Sequence, residues 1–405
     1  MVHGYPVWCA ACGWNLAARE PEPPRTPSAA LVAKFGGRVS TGLADEVARG
    51  QGAGLWGVAL LAYAGAVELG VLAVTAAGAY LILSTFPNLI TLLMGAPLIG
   101  IGVLGRPRVM TKHEHELDRH AHRELFDLTD RVAAALGVRP PHAIDAAPDV
   151  NAWIGRYGWR QRCRMTLGLP LFALLDPQER VALIAHELAH ERHGDLARAR
   201  LVVTALASLA EVYWLVVPYQ SSWVARRSGR RYRADLGFNI LVNPIMACVA
   251  ALMRPFVRMY VLLMQRQSQR GEYLADAAAA AVAGSDAARA LMVKLHAGAA
   301  YTDHALTTSS AEEAACFDLL RERVRRAPRS EWLRIERVMA FERTRLEVSH
   351  PPSALRMRMV ERMPQRPPAV VASASEMEAI DRALLPLEAD AARAMIDRRR
   401  ARLYR

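Results

Sequence analysis

The chain has 405 residues, 52% of them hydrophobic and only 22% charged, which excludes intrinsic disorder over most of its length and allows two or three domains. Its 51 Lys+Arg against 39 Asp+Glu give a net charge of +12, a balance suited to anionic lipid or nucleic acid. Five scattered cysteines (Cys9, Cys12, Cys163, Cys248 and Cys316) are too few for a disulfide framework and point to a reducing compartment.

Residues 1–50 form a polar, Pro-containing segment that we place in the cytoplasm. Within it, Cys9-Ala-Ala-Cys12-Gly13-Trp14 is half of a zinc-ribbon pattern, and His3 is the only nearby substitute for a second cysteine pair. A lone CxxC is a weak signal, so no tight metal site is expected there. A degenerate ribbon, a metal shared across a dimer, or a second pair upstream of Met1 are the remaining readings.

Residues 51–105 read as a transmembrane hairpin. Between Ala53 and Gly105, Glu68 is the only formally charged residue, and one crossing needs about 20 apolar residues. Pro87 and Asn88 mark the turn, which predicts helices over 54–83 and 89–105. A cleaved signal peptide fits poorly, because a long polar stretch precedes the first apolar run. Arg38 and Arg49 lead in and Arg106, Arg108 and Lys112 lead out, so both ends face the cytoplasm. Glu68 reads as a carboxylate facing a partner helix or protonated, rather than as an intramembrane functional site.

From 106 to 365 the composition is that of a soluble domain. The spacing predicts a helix over 114–136, stopped at Gly137, with His113, His115, His120 and His122 on a solvated face. Asp149–Ile154 and Arg164–Leu169 are strand candidates. Asp176-Pro177-Gln178-Glu179 then combines a capping acid, Pro at the first helical position and a glutamate three residues after the cap. The helix it opens carries His186-Glu187-Leu188-Ala189-His190. Histidines at i and i+4 project from one face, so both imidazoles can reach one zinc ion. Glu187 is suited to take a proton from the attacking water.

A catalytic zinc needs a third protein ligand. His193 comes too soon after His190 for a third-histidine pattern and reads as polar support. Glu272 fits better, because it opens an apolar flank, Leu274-Ala275 and Ala277–Ala281, in which an unpaired carboxylate would be costly. Asp276, one turn later, can accept a hydrogen bond from a ligand histidine. Inserted before this helix is a second apolar region, Leu201–Pro218 and Phe238–Met264, broken by Arg254, Pro255 and Arg258. It is either a second hairpin, or a re-entrant or interfacial pair whose Arg226–Arg233 loop touches lipid phosphate. No helix-turn-helix or aromatic-basic RNA motif accompanies that loop, so no nucleic-acid partner is expected. Residues 366–405 read as a charged helical tail, a solvated or lipid-apposed appendage.

His186–Asp195 (HELAHERHGD), Ser268–Ala277 (SQRGEYLADA), Asn151-Ala152-Trp153, and His350-Pro351-Pro352 followed by Arg356 resemble, in order, the four signature blocks of the HtpX-like and CAAX prenyl protease family of membrane zinc metallopeptidases. The resemblance covers roughly residues 50–365. It implies a mainly α fold with a small β-sheet: a gluzincin-like core with transmembrane helices and one Zn2+ per chain on His186, His190 and Glu272, with Glu187 as general base. It also implies a substrate edge strand at Asn151 and Ala152, and His350 as stabiliser of the oxyanion. Trp153 stands where phenylalanine is common, and Gly271 weakens the helix before Glu272. The expected activity is peptide-bond hydrolysis at the cytoplasmic face of a multi-pass protein of the cell (inner or plasma) membrane, in membrane-protein quality control. Its partners would be protein or peptide substrates and the lipid bilayer, with no oligomeric state readable. A zinc-peptidase sensor-transducer receptor and a non-catalytic membrane scaffold are the alternatives. No extracellular sensor domain is visible for the first, and intact His186, Glu187, His190 and Glu272 argue against the second.

Overall fold

The computed structural model describes residues 5–16, 42–49, 55–104, 115–157, 160, 162–192, 195–216, 236–309, 313–341 and 351–403. His113, His193, the Arg226–Arg233 loop and His350 lie outside the described residues. The elements run α1 (Leu55–Thr85), α2 (Leu89–Leu104), α3 (Arg123–Leu136), β1 (Ala143–Ala147), β2 (Ala152–Tyr157), β3 (Arg162–Gly168), α4 (Leu169–Leu174), α5 (Pro177–Arg192), α6 (Asp195–Val216) and α7 (Leu236–Ala283). They continue as α8 (Ser285–Thr308), α9 (Glu313–Arg326), α10 (Arg329–Phe341), α11 (Ser353–Arg362) and α12 (Ala374–Leu403). The fold is mainly helical with one small sheet, and the chain divides into two compact units.

One unit comprises Met1–Gly52, Val109–Leu196 and Ser268–Arg405. Its sheet has the order β1-β3-β2, with β1 parallel and β2 antiparallel to β3. β2 is therefore an edge strand among the described residues. Gly168 ends β3 where the chain crosses itself: a Cβ there would lie 1.9 Å from Asp149 O and 2.2 Å from Asn151 O, so only glycine fits. The predicted strands at 149–154 and 164–169 correspond to β2 and β3, shifted by a few residues. β1 was not anticipated. Its sequence, AIDAA, is short and alanine-rich, and it earns its place by burying Ile144 and by pairing Asp145 with Arg164 of β3 at 3.3 Å.

α5 sits at the centre of this unit. Every residue from Glu179 to Ala189 is buried, as expected of a helix surrounded on all sides. Its start follows the predicted capping box: the Asp176 N–H donates to Glu179 Oε2 at 2.7 Å. Lys294 of α8 reaches both acids, 2.8 Å from Asp176 Oδ2 and 2.6 Å from Glu179 Oε2.

Two expectations need correction. The helix predicted over 114–136 begins only at Arg123, because Asp118 Oδ1 accepts the N–H groups of His120 and Ala121 and turns the chain first. His115, His120 and His122 thus lie on the approach to α3, not along a helix face. α3 ends as predicted at Gly137, whose φ of 70° and N–H to Ala133 O close it. The second correction concerns the C-terminus. α12 is no appendage: Met377, Ile380, Leu384, Ala391, Ala392 and Met395 are buried in the main core, and burying each larger one contributes about 1.5–3 kcal/mol. Asp381 on α12 also accepts from Arg180 of α5 at 2.7 Å.

The other unit comprises Ala53–Arg108 and Ala197–Gln267. α1 and α2 form the expected hairpin and cross closely where Gly78 meets Gly95; a Cβ on Gly78 would lie 2.7 Å from Gly95 O. A narrow buried seam of Leu60, Ala64, Val202, Ala205, Tyr260 and Leu263 joins α1, α6 and α7. Tyr260 Oη donates to Val202 O at 2.7 Å. Ser208 Oγ donates to Glu68 Oε1 at 3.1 Å, so Glu68 faces a partner helix. The outer faces are apolar and exposed, including Leu69, Leu83, Ile90, Leu93, Leu252, Phe256 and Met259. Two helices, Leu55–Thr85 and Met246–Ala283, are long and apolar enough to cross a membrane; the apolar stretches Leu89–Val103 and Arg200–Ala210 are shorter.

Candidate metal centre

α5 and the last third of α7 build the site. One turn of α5 separates His186 from His190, and their rings stand nearly perpendicular with centroids 5.3 Å apart. α7 continues through Gly271 without a break and brings up Glu272. His186 Nε2 lies 3.6 Å from Glu272 Oε2, and His190 Nε2 lies 3.7 Å from Glu272 Oε1. These separations are longer than good hydrogen bonds. They approach the roughly 3.3 Å edge of a tetrahedron of ligands held about 2.0–2.1 Å from one zinc ion. With two imidazoles and a carboxylate within 4.8 Å of one another, the donor set fits zinc.

The candidate donors are fixed from behind. His186 Nδ1 lies 3.1 Å from Asp276 Oδ1, which leaves Nε2 to face the other two donors. Asp276 is clasped by Arg356 of α11, whose Nε donates to Oδ2 at 2.7 Å and whose second nitrogen donates to Oδ1 at 2.6 Å. Arg356 also lies 3.5 Å from Glu272 Oε2. All four side chains are buried, whereas His190 is half-buried and marks the accessible side. Burial opposes a charged His186, but the carboxylates of Asp276 and Glu272 push its pKa up to about 10. Two carboxylates thus flank His186, Glu272 on the side that a metal cation would take and Asp276 behind it.

Of the sequence-predicted residues, His186, His190, Glu272 and Asp276 come together as expected. Glu187 is buried on α5 between the two histidines. Ala152 opens β2, and Asn151 immediately precedes it, its carbonyl accepting the Gly168 N–H at 2.8 Å. β2 packs beside α5, and Arg156 of β2 pairs with Glu191 near the end of α5. The part played by Arg356 is not evident from the chain alone. The available signal is an arginine flanked by Leu355 and Met357, which in a buried helix demands an acid partner.

The sequence pattern of peptidase family M48 matches residues 119–363, which hold both α5 and Glu272 as well as Arg356. The chain belongs to peptidase family M48. It is 30% identical over 179 residues to a protease HtpX homolog of Helicobacter pylori (strain Shi470), covering 44% of this chain and 51% of that protein. It is likewise 30% identical over 176 residues to protease HtpX homolog 1 of Streptomyces coelicolor, covering 43% and 53%. The chain spans about half the length of these curated relatives. The M48 match begins after the first hairpin and the CxxC segment.

Proposed function

We propose that the chain is a membrane-bound zinc metalloendopeptidase that hydrolyses peptide bonds at the cytoplasmic face of the cell membrane and serves membrane-protein quality control. The observation that carries this reading is the convergence of His186, His190 and Glu272, open on the His190 side and braced by Asp276 and Arg356. Zinc held by these three residues would supply Lewis acidity toward the scissile carbonyl and the attacking water. Glu187 takes the proton of that water and returns it to the leaving amine. Asp276 keeps His186 in the tautomer that directs Nε2 to the metal. An extended substrate backbone adds to the outer edge of β2 at Asn151 and Ala152, beside the helix that carries Glu187. His350, in the block that leads to Arg356, is the proposed oxyanion stabiliser.

In this reading residues 51–105 and 201–264 are the membrane parts and 106–365 the peptidase domain, with α12 packed onto its core. Arginines on both flanks of the first hairpin support a cytoplasmic domain. The HtpX homologs named above support a protease of this kind. The test is cleavage of an unfolded protein such as casein by the detergent-purified chain. A chelator should abolish cleavage and added zinc should restore it; cleavage indifferent to the chelator would refute the reading.

A further inference from the structure

Residues 5–16 lie outside the span matched by the family pattern and take no part in the peptidase site. They nevertheless form a fixed turn. The Cys9 N–H donates to Trp14 O at 3.0 Å, and the Gly13 N–H donates to Cys9 O at 2.9 Å. Gly13 has φ +71°, a left-handed conformation that lets the chain double back immediately after Cys12. The backbone N–H of Cys12, then the Cys12 side chain and the N–H of Ala11, hold the Cys9 thiol below its ordinary pKa. Amides aimed at a sulfur stabilise a thiolate, the form in which cysteine binds metal.

The turn has no core of its own, yet α9 and α10 clamp it. Trp8 Nε1 donates to Ser330 O at 2.9 Å and Arg334 donates to Leu16 O at 3.0 Å. Arg337 donates to Ala10 O and stacks over Trp8, while Arg323 stacks over Tyr5. Both thiols remain reachable: Cys12 is exposed and Cys9 half-buried. Val7 and Trp14, 71% and 65% exposed, flank them with apolar surface.

Two thiolates are half of a tetrahedral structural site. Within the unit that holds this turn the other cysteines, Cys163 and Cys316, are buried in the core, and His3 would bring the donors only to three of the four that a structural site takes. Among the described residues, the only group of three or more metal-binding side chains is the His186 centre. We propose that Cys9 and Cys12 are ligands of a second, structural zinc ion, completed by the same cysteine pair of a second copy of the chain. Val7 and Trp14 would form the apolar rim of that contact.

The experiment measures zinc content and molecular mass of the full chain in detergent, for the wild type and for the Cys9→Ser/Cys12→Ser variant. The double variant should lose about half a zinc per chain, as one tetrathiolate ion serves two chains, and should become monomeric while its peptidase activity persists. Cobalt substitution of the wild type should give a thiolate-to-cobalt charge-transfer band, a readout that does not depend on the variant folding. Unchanged zinc content with no thiolate band would overturn the site. Loss of a whole equivalent from a chain that is already monomeric would overturn the sharing.

Discussion

Arg356 donates to both carboxylate oxygens of Asp276, and Asp276 holds His186 Nδ1, so one buried cation sets the orientation of one proposed metal ligand while standing beside another, Glu272. Arg356→Ala would leave two carboxylates buried without their cation. Breaking a buried pair in this way costs about 3–5 kcal/mol, and denaturant unfolding of the metal-free protein should register a loss of that size. Arg356→Lys keeps the charge but not the two-pronged geometry, so it should recover only part of the loss. Asp276→Asn preserves shape while weakening the grip on His186; chelator competition should show metal affinity reduced about 10–100-fold. The histidine pair could be recognised from sequence because its geometry is local, one turn of one helix. Glu272 needed the apolar context of Leu274 and Ala275 and the family resemblance. Arg356 could be noted but not given a task, because the acid it serves is eighty residues away in sequence.

α5 shows how an element is specified by its first turn. Glu179 accepts the Asp176 N–H and meets Lys294, and burial nevertheless raises its carboxyl above the ordinary 4.5, outweighing the pull of Lys294. The folded state therefore holds this proton more tightly than the unfolded chain. Its contribution to stability is full below pH 4.5 and is lost as the pH rises through the raised folded value. Glu179→Gln keeps an acceptor for the Asp176 N–H and cannot titrate. Denaturation midpoints should accordingly move in the variant's favour, relative to wild type, as the pH is raised from 4.5 toward neutrality; a difference constant across that range would contradict the assignment. The cap of α5 could be read from its residues because capping chemistry lies within four positions. β1 and α12 could not. β1 is stabilised by partners on β3, and the buried stripe of α12 is hidden among arginines and aspartates that dominate its composition.

At the scale of the whole molecule, the apolar excess and the basic excess occupy different places. The first is concentrated in α1, α2, α6 and the apolar part of α7, whose outer faces expose leucine, isoleucine and phenylalanine. Exposed apolar surfaces of this extent mark membrane or partner contact. The chain should therefore stay in the membrane pellet through alkaline carbonate washing and leave it only with detergent. Part of the second lies beside these segments, at Arg38, Arg49, Arg106, Arg108 and Lys112 around the first hairpin and at Arg226–Arg233 within the second apolar region. The central claim is that this membrane-held chain uses zinc on His186, His190 and Glu272, with Glu187 as the proton carrier. The most direct measurement is zinc content and casein turnover compared between wild type and Glu187→Gln. The account predicts that both proteins carry zinc at this centre and that only the wild type cleaves, the variant losing turnover by a factor of at least about 100. A Glu187→Gln protein that cleaves at the wild-type rate, or a wild type that is inert with zinc bound, would contradict it.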